Sequence, residues 1–177
     1  PVHDDDLTLL AEAAKEAGAL ARHHFERDPE VWEKDDGQGP VTEADLAVND
    51  LLLSELRSAR HDYGWLSEET DDDTDRLARD TVFVIDPIDG TTNYIQGMDY
   101  WCISVGYFVD GEVQLGCIYA PDRNEFFHAI KGQGSFLNDQ RLQMQTPAPG
   151  QAVLGLGMSS RHPLSRYLQV IEYLIEH

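Results

Sequence analysis

The sequence has few cysteines and no long apolar stretch. Its 177 residues include two cysteines, Cys102 and Cys117, which are too few for a disulfide framework and show no C-x-x-C spacing. No stretch approaches the length of a membrane-spanning helix, and residues 1–6 are acidic instead of apolar. We therefore expect a cytoplasmic protein with reduced thiols and no membrane partner.

Positive charge is also scarce. The chain has 13 Lys and Arg residues against 33 Asp and Glu residues, a formal net charge of -20. Such a surface repels a phosphate backbone, so direct binding to nucleic acid is not expected. A small phosphorylated substrate is repelled as well unless a cation intervenes, so an anionic substrate would favour a metal site.

The apolar pattern predicts helices first and strands afterwards. Apolar residues recur at helical spacing over 6–25 and again from Thr42, where Leu46 and Asn49 are expected on the inner face. Asp110-Gly111 is typical of a hairpin turn between two of the strands that follow. Predicted strands cover residues 81–85, 101–109, 112–120 and 125–130.

A Pro- and Gly-rich stretch at 146–150 precedes a predicted strand at 152–157 and a helix from about Pro163. The order of elements predicts an α+β fold, in which N-terminal helices pack on a largely antiparallel sheet. We expect residues 1–146 to form this domain and residues 147–177 to begin a second α/β domain.

The segment D-P-I-D-G-T-T at 86–92 follows a predicted apolar strand. Asp86 and Asp89 offer two carboxylates at the strand end, and the proline helps to direct the Ile88 carbonyl the same way. The glycine permits close backbone approach, and Thr91 can begin a helix whose free N–H groups face an anion. Hard oxygen ligands beside a phosphate cradle suit Mg²⁺. A lone D-x-x-D would indicate an ordinary turn. Seven consecutive residues of this composition after an apolar strand are a more specific signal for a metal and phosphate site.

Two weaker segments carry further carboxylates. Glu68, in Ser67-Glu68-Glu69, could bind the same metals, although Glu pairs usually face solvent. Thr42 and Asp45 form the S/T-x-x-D/E pattern of a helix cap. Asp45 could also accept a proton from a neighbouring hydroxyl, and the two roles are compatible.

Together these three segments, in this order, resemble the inositol monophosphatase family of lithium-sensitive, magnesium-dependent phosphatases. The segments at 116–121, 132–134 and 157–161 support the resemblance, which covers nearly the whole chain. It implies a layered α/β sandwich whose first domain binds metal and phosphate. It also implies a homodimer and two or three Mg²⁺ ions.

The resemblance assigns roles residue by residue. Metal ligands would be Glu68, Asp86, Asp89 and the Ile88 carbonyl, with Ser67 in place of the usual glycine. Thr91 would pair with Asp45, so that Thr91, Asp45 and Glu68 are the expected catalytic residues. The backbone N–H groups of Gly90 and Thr91 would hold phosphate.

One departure concerns a later W-D-x-x-A-G segment whose Asp is a further metal ligand in the family. The sequence lacks this segment, and we expect the natural protein to continue past His177 and to supply that ligand there. The resemblance implies hydrolysis of a small phosphate monoester, with myo-inositol monophosphate as the expected substrate. A 3'(2'),5'-bisphosphate nucleotidase is the runner-up, although Thr92-Asn93-Tyr94 is closer to the inositol phosphatase type. Histidinol phosphate and sugar bisphosphate substrates stay open, as does a regulatory binding protein on the same fold.

Overall fold

The structure is a computed structural model. It describes residues 4–25, 27, 29–33, 39–72, 74–143, 151 and 164–176. The chain divides into two compact units, Pro1–Gln143 and Met144–His177. The assignment of residues 1–146 and 147–177 to two domains stays a prediction.

Two helices open the first unit. Helix α1 spans Asp4–Phe25 and buries a stripe of small and apolar residues that includes Leu10, Ala14 and Ala17, as the spacing predicted. A short hairpin of β1 (Val31–Glu33) and β2 (Pro40–Thr42), which was not predicted, leads into helix α2 (Glu43–Ala59).

Helix α2 turns a different stripe inward from the one expected. Ala44, Val48 and Leu52 are buried, and so is Asn49. Leu46 is 40% exposed, so its predicted place on the inner face is wrong. Residues 44, 48 and 52 recur at four-residue spacing, which puts Leu46 on the opposite side of the helix.

Strands that build one sheet, and one short α-helix, follow in the first unit. They are β3 (Gly64–Ser67), β4 (Thr81–Asp89), helix α3 (Thr91–Ile95), β5 (Cys102–Val109), β6 (Glu112–Ala120), β7 (Glu125–Ile130), β8 (Gly134–Leu137) and β9 (Gln140–Arg141). The strands of this sheet follow one another in chain order. β3 pairs with β4 in parallel, and each later neighbour pairs antiparallel, so the predicted sheet type is confirmed.

Helices α1 and α2 pack on one face of the sheet and enclose the core. Buried side chains from alternate positions of the central strands, including Phe83, Ile85, Ile103, Val105 and Leu115, meet the helices there. The predicted layering of N-terminal helices on a sheet is confirmed. It holds α2 beside β4, the two elements that carry the candidate site.

In the second unit, helix α4 spans Leu164–Glu176, close to the predicted start at Pro163. The strand predicted at 152–157 and the family-like segment at 157–161 lie outside the described residues. Among the helices of the described ranges, none combines the length and hydropathy needed to cross a membrane.

Candidate active site

Asp86 and Asp89 lie within β4, and not after its end as the sequence suggested. The strand runs on to Asp89, and its pairing with β5 shifts from Asp86↔Ser104 to Asp89↔Cys102. Three steps along β4 thus match two along β5, which is a β-bulge. Residues three apart in a regular strand point to opposite faces, and the extra residue offsets this. The negative charge of Asp89 accordingly acts on the Asp86 carboxyl.

Asp45 is 1% exposed and uses its two carboxylate oxygens for different partners. Oδ2 accepts hydrogen bonds from the backbone N–H of Thr42, at 2.8 Å, and from the Thr42 hydroxyl, at 2.6 Å. The Thr42 hydroxyl in turn accepts the N–H groups of Ala44 and Asp45, which completes a capping box. Oδ1 accepts from the hydroxyl of Thr91 at 3.2 Å. Both readings of Asp45, cap and hydroxyl partner, therefore hold.

The Asp86 carboxyl is affected by the charges of the other carboxylates of the site. Burial raises the pKa of Asp86 from 3.8 to about 7, and the negative charges of Glu68, Asp89 and Asp45 add to this effect. A hydrogen bond between the Glu68 and Asp86 side chains acts in the same direction. Within the described ranges, no three His, Cys, Asp or Glu side chains are placed so that they could hold a metal ion as they stand. The roles of these carboxylates as metal ligands therefore stay predictions.

The turn that carries Glu68 is anchored on α2. The hydroxyl of Ser67 donates to Asn49 Oδ1 at 2.7 Å, and the Asn49 amide also bonds to the Thr70 hydroxyl. The backbone N–H of Glu68 donates to the Ile85 carbonyl at 3.2 Å, which ties the turn to β4. Ser67, which departs from the family's usual glycine, thus supplies a hydrogen bond that a glycine could not.

Gly90 sits between β4 and α3 in a conformation that favours glycine. Its φ is +96°, and a Cβ placed there would lie 2.8 Å from the Tyr100 carbonyl oxygen. Helix α3 begins at the next residue, as predicted, and has no side-chain cap at its N-terminus. Tyr94 fastens this short helix to α1, because its hydroxyl donates to the Ala21 carbonyl at 2.6 Å. The role of the Gly90 and Thr91 N–H groups toward phosphate stays a prediction.

Comparison with known proteins identifies the group to which this fold and site belong. The sequence pattern of the inositol monophosphatase family matches residues 3–172. The chain belongs to the inositol monophosphatase family.

Inositol monophosphatase 2 of Solanum lycopersicum is 32% identical over 146 residues, which cover 81% of this chain and 55% of that protein. Nus factor SuhB of Pasteurella multocida is 31% identical over 140 residues, 78% of this chain and 52% of that protein. The crystal structure of the extragenic suppressor protein SuhB of Bartonella henselae matches with a TM-score of 0.75 at 28% identity, over 81% of this chain and 56% of that one. The chain thus spans about half the length of the curated relatives that it matches.

In this inositol monophosphatase family member, a cysteine lies beside the candidate site. Cys102 Sγ is 3.8 Å from Asp89 Oδ2, and the thiol is half-buried. Burial and the charges of Asp89 and Asp86 raise the pKa of the Cys102 thiol to about 12. Such a shift favours the protonated thiol in the metal-free protein. Cys117 is buried.

A cavity of about 440 Å³ opens beside Asp89 and Gly90. Its charged lining residues are Asp89, Asp99, Arg123 and Glu125. The Arg123 guanidinium lies 3.1 Å from Glu125 and 3.7 Å from Asp99, and it stacks over the exposed ring of Tyr100 at 5.1 Å. The cavity lining thus carries three carboxylates and one guanidinium, which is paired with two of them.

The sequence did not predict the hydrogen bonds that hold the residues next to the candidate site. Trp101 and Asp122 are joined by a hydrogen bond across 21 residues, and no local pattern signals such a contact. Asn49 was expected to be buried, but its bonds to the Glu68 turn were not foreseen. All of these contacts depend on pairing between distant elements.

Proposed function

We propose that the chain carries the catalytic site of a metal-dependent phosphate monoester hydrolase. The observation that supports this most strongly is the contact between the Thr91 hydroxyl and Asp45 Oδ1, beside the bulge that carries Asp86 and Asp89. Membership of the inositol monophosphatase family agrees with it. A buried carboxylate that holds a hydroxyl next to other carboxylates is a plausible proton acceptor for water attack.

Asp45 and Thr91 would orient and help to deprotonate the attacking water. The two hydrogen bonds from Thr42 fix Oδ2, so that Oδ1 is directed at Thr91. The Thr91 hydroxyl shares its proton between Asp45 Oδ1 and the Ile88 carbonyl, 3.0 Å away. Its lone pair is then available to accept a hydrogen bond from water. As water attacks phosphorus and the bond from phosphorus to the ester oxygen breaks, the proton of the water would pass to Thr91 Oγ while the Thr91 proton passes to Asp45 Oδ1, and the leaving alkoxide would take a proton from solvent water.

Glu68, Asp86, Asp89 and the Ile88 carbonyl would hold two or three Mg²⁺ ions. The donors are hard oxygens, and the pKa of Asp86 is raised by burial and then by the negative charges of Glu68, Asp89 and Asp45, which a divalent cation would offset. Bound Mg²⁺ supplies a lowered water pKa and stabilises charge on the phosphoryl oxygens. The N–H groups of Gly90 and Thr91 would bind the phosphate itself.

The charge beside the site favours a neutral alcohol as the rest of the substrate. Asp89 is a proposed metal ligand, but the carboxylates of Asp99 and Glu125 still outnumber the one guanidinium of Arg123 in the adjoining cavity. They can accept hydrogen bonds from hydroxyl groups, whereas they repel a second phosphate. We therefore propose myo-inositol monophosphate as the substrate, ahead of nucleoside or sugar bisphosphates and histidinol phosphate.

A substrate panel tests the proposal. Release of inorganic phosphate should be measured from myo-inositol 1-phosphate, a 3',5'-bisphosphate nucleotide, fructose 1,6-bisphosphate and histidinol phosphate, with Mg²⁺ and with chelator. We expect turnover of the inositol ester that disappears in chelator and returns with Mg²⁺. Undiminished turnover in chelator would contradict the metal site, and a preference for bisphosphates would contradict the charge argument.

A second candidate is a regulatory binding protein on the same fold, because one relative is named a Nus factor. Cellular complementation with a Thr91→Val variant separates the two, since a role through protein contacts should survive loss of that hydroxyl. A homodimer stays part of the proposal on the strength of the family resemblance. Light scattering that gives a monomer mass at high protein concentration would contradict it.

A further inference from the structure

A hydrogen bond joins Trp101, at the entry to β5, to Asp122 in the turn between β6 and β7. Trp101 Nε1 donates to Asp122 Oδ2 at 3.0 Å. The other oxygen, Oδ1, lies 3.0 Å from Arg22 Nε on α1. The indole is 3% exposed and the Asp122 side chain 16%. Three separate parts of the fold therefore meet at one carboxylate.

The backbone of Trp101 lies directly behind Gly90. A Cβ placed on Gly90 would be 3.3 Å from Trp101 Cα, so the two backbones are in close contact. Trp101 also precedes Cys102, the residue that pairs with Asp89 across the bulge. Trp101 therefore lies against the backbone of Gly90 and next to the residue that pairs with Asp89.

Packing and one hydrogen bond together hold the Trp101 ring. The ring meets Tyr94 edge to face at 5.0 Å and lies 6.0 Å from Phe25, and the indole N–H adds a polar contact to this packing. A hydrogen bond to a charged acceptor is directional and stronger than a neutral one. Asp122 supplies that bond, and the ion pair with Arg22 orients the carboxylate.

We propose that Asp122 is a positioning residue for the metal and phosphate site. It acts through the Trp101 indole, which holds the Gly90 amide and the Asp89 carboxylate in place. This inference rests on the proposed function of that site. It adds a residue from the connection between β6 and β7 to a site whose proposed residues come from α2, α3, β4 and the turn after β3.

Four variants separate the hydrogen bond from other effects. Asp122→Ala removes the acceptor, and Trp101→Phe removes the donor while it keeps an aromatic ring. Asp122→Asn keeps an acceptor for the indole. Lys131→Ala is the matched control, because it breaks an ion pair with Glu112 elsewhere on the same sheet.

The first measurement needs neither metal nor substrate. Hydrogen exchange of the backbone amides over residues 86–96 is followed in the metal-free protein. We expect Asp122→Ala and Trp101→Phe to speed this exchange about tenfold or more, the factor that loss of one hydrogen bond to a charged group corresponds to. Asp122→Asn should speed it less than Asp122→Ala, because it keeps an acceptor but loses the charge and the ion pair with Arg22, and Lys131→Ala should leave it unchanged. The double variant should exchange no faster than either single one, because both remove the same bond.

The second measurement is Mg²⁺ affinity by calorimetry, with Tm recorded alongside. Asp122→Ala and Trp101→Phe should weaken Mg²⁺ binding by a similar factor, and Asp122→Asn should weaken it less than Asp122→Ala. Unchanged exchange over 86–96, additive effects in the double variant, or a loss confined to Tm would each overturn the proposal. A protein that hydrolyses no ester of the panel would refute the proposed function, while the exchange result would still decide the role of Asp122.

Discussion

The Thr91 hydroxyl and Asp45 Oδ1 are 3.2 Å apart, although 46 residues separate them in the chain. The same carboxylate caps α2 through its other oxygen. The start of α2 and the start of α3 are therefore coupled through one buried side chain. A carboxylate that is held on one side and presented on the other needs little rearrangement to act as a base.

Replacement of Thr91 by valine should abolish most phosphatase turnover. The change removes the hydroxyl that links Asp45 to the proposed water and keeps the side-chain volume. We expect kcat to fall by about 10²-fold or more, the range for loss of a positioned proton-transfer group. Thr91→Ser, which retains the hydroxyl, should keep most of the activity. Steady-state kinetics on myo-inositol 1-phosphate checks both, and equal loss in the two variants would contradict a role for the hydroxyl.

The metal-free protein should lose stability as pH rises from about 4 to about 7. The pKa of Asp86 is raised to about 7 in the folded state from an ordinary 3.8, so the folded state binds more protons in that window. The free energy of unfolding therefore falls with rising pH there and levels off above it. Asp86→Asn should remove this contribution. Urea denaturation in chelator between pH 4 and 8 measures it, and identical pH slopes for variant and wild type would refute the assignment.

Gly90→Ala should be more harmful than Gly97→Ala, although both glycines have positive φ. At Gly90 the new Cβ would meet the Tyr100 carbonyl at 2.8 Å, whereas at Gly97 no atom lies within 4 Å. Gly97→Ala should cost only about 1–2 kcal/mol for the backbone conformation. We expect a larger loss in the free energy of unfolding for Gly90→Ala, together with loss of turnover. Equal losses would show that the close contact with Tyr100 has no energetic effect.

Asp89→Asn should lower Mg²⁺ affinity and reduce turnover by several orders of magnitude while the fold survives. The variant keeps the volume of the side chain and removes one of the charges that act on Asp86. Without metal it should be at least as stable as the wild type, because fewer carboxylates repel one another. Asp80→Asn is the control, because Asp80 directly precedes β4 at the end of the strand away from Asp89. Calorimetry that finds wild-type Mg²⁺ affinity in Asp89→Asn would exclude Asp89 as a ligand.

The sequence correctly predicted the features that depend on residues close together in the chain. The capping box at Thr42 and Asp45 and the hairpin at Asp110-Gly111 were both correct, because each depends on residues that are neighbours in the chain. The hairpin turn has positive φ at both positions, as its residue types suggest.

Features that depend on distant pairing could not be predicted in this way. The sequence places Asp86 and Asp89 after a strand, but β5 continues to pair as far as Asp89 and turns the segment into a bulge. The parallel pairing of β3 with β4 and the exposure of Leu46 likewise follow from which neighbour each element meets. The candidate ligands were identified from sequence through the family resemblance, whereas their support by Trp101 and Asp122 appears only in the fold.

The close contact of Gly90 with Trp101, and of Trp101 with Asp122, has a consequence for synthesis of the protein. A growing chain emerges from its N-terminus, so the proposed site residues from Asp45 to Thr91 leave the ribosome before β5 does. Trp101, which packs against Gly90, emerges later, and the turn that carries Asp122 emerges after Trp101. The nascent polypeptide therefore exposes its acidic groups to cellular cations for an interval before the frame that orders them has been made.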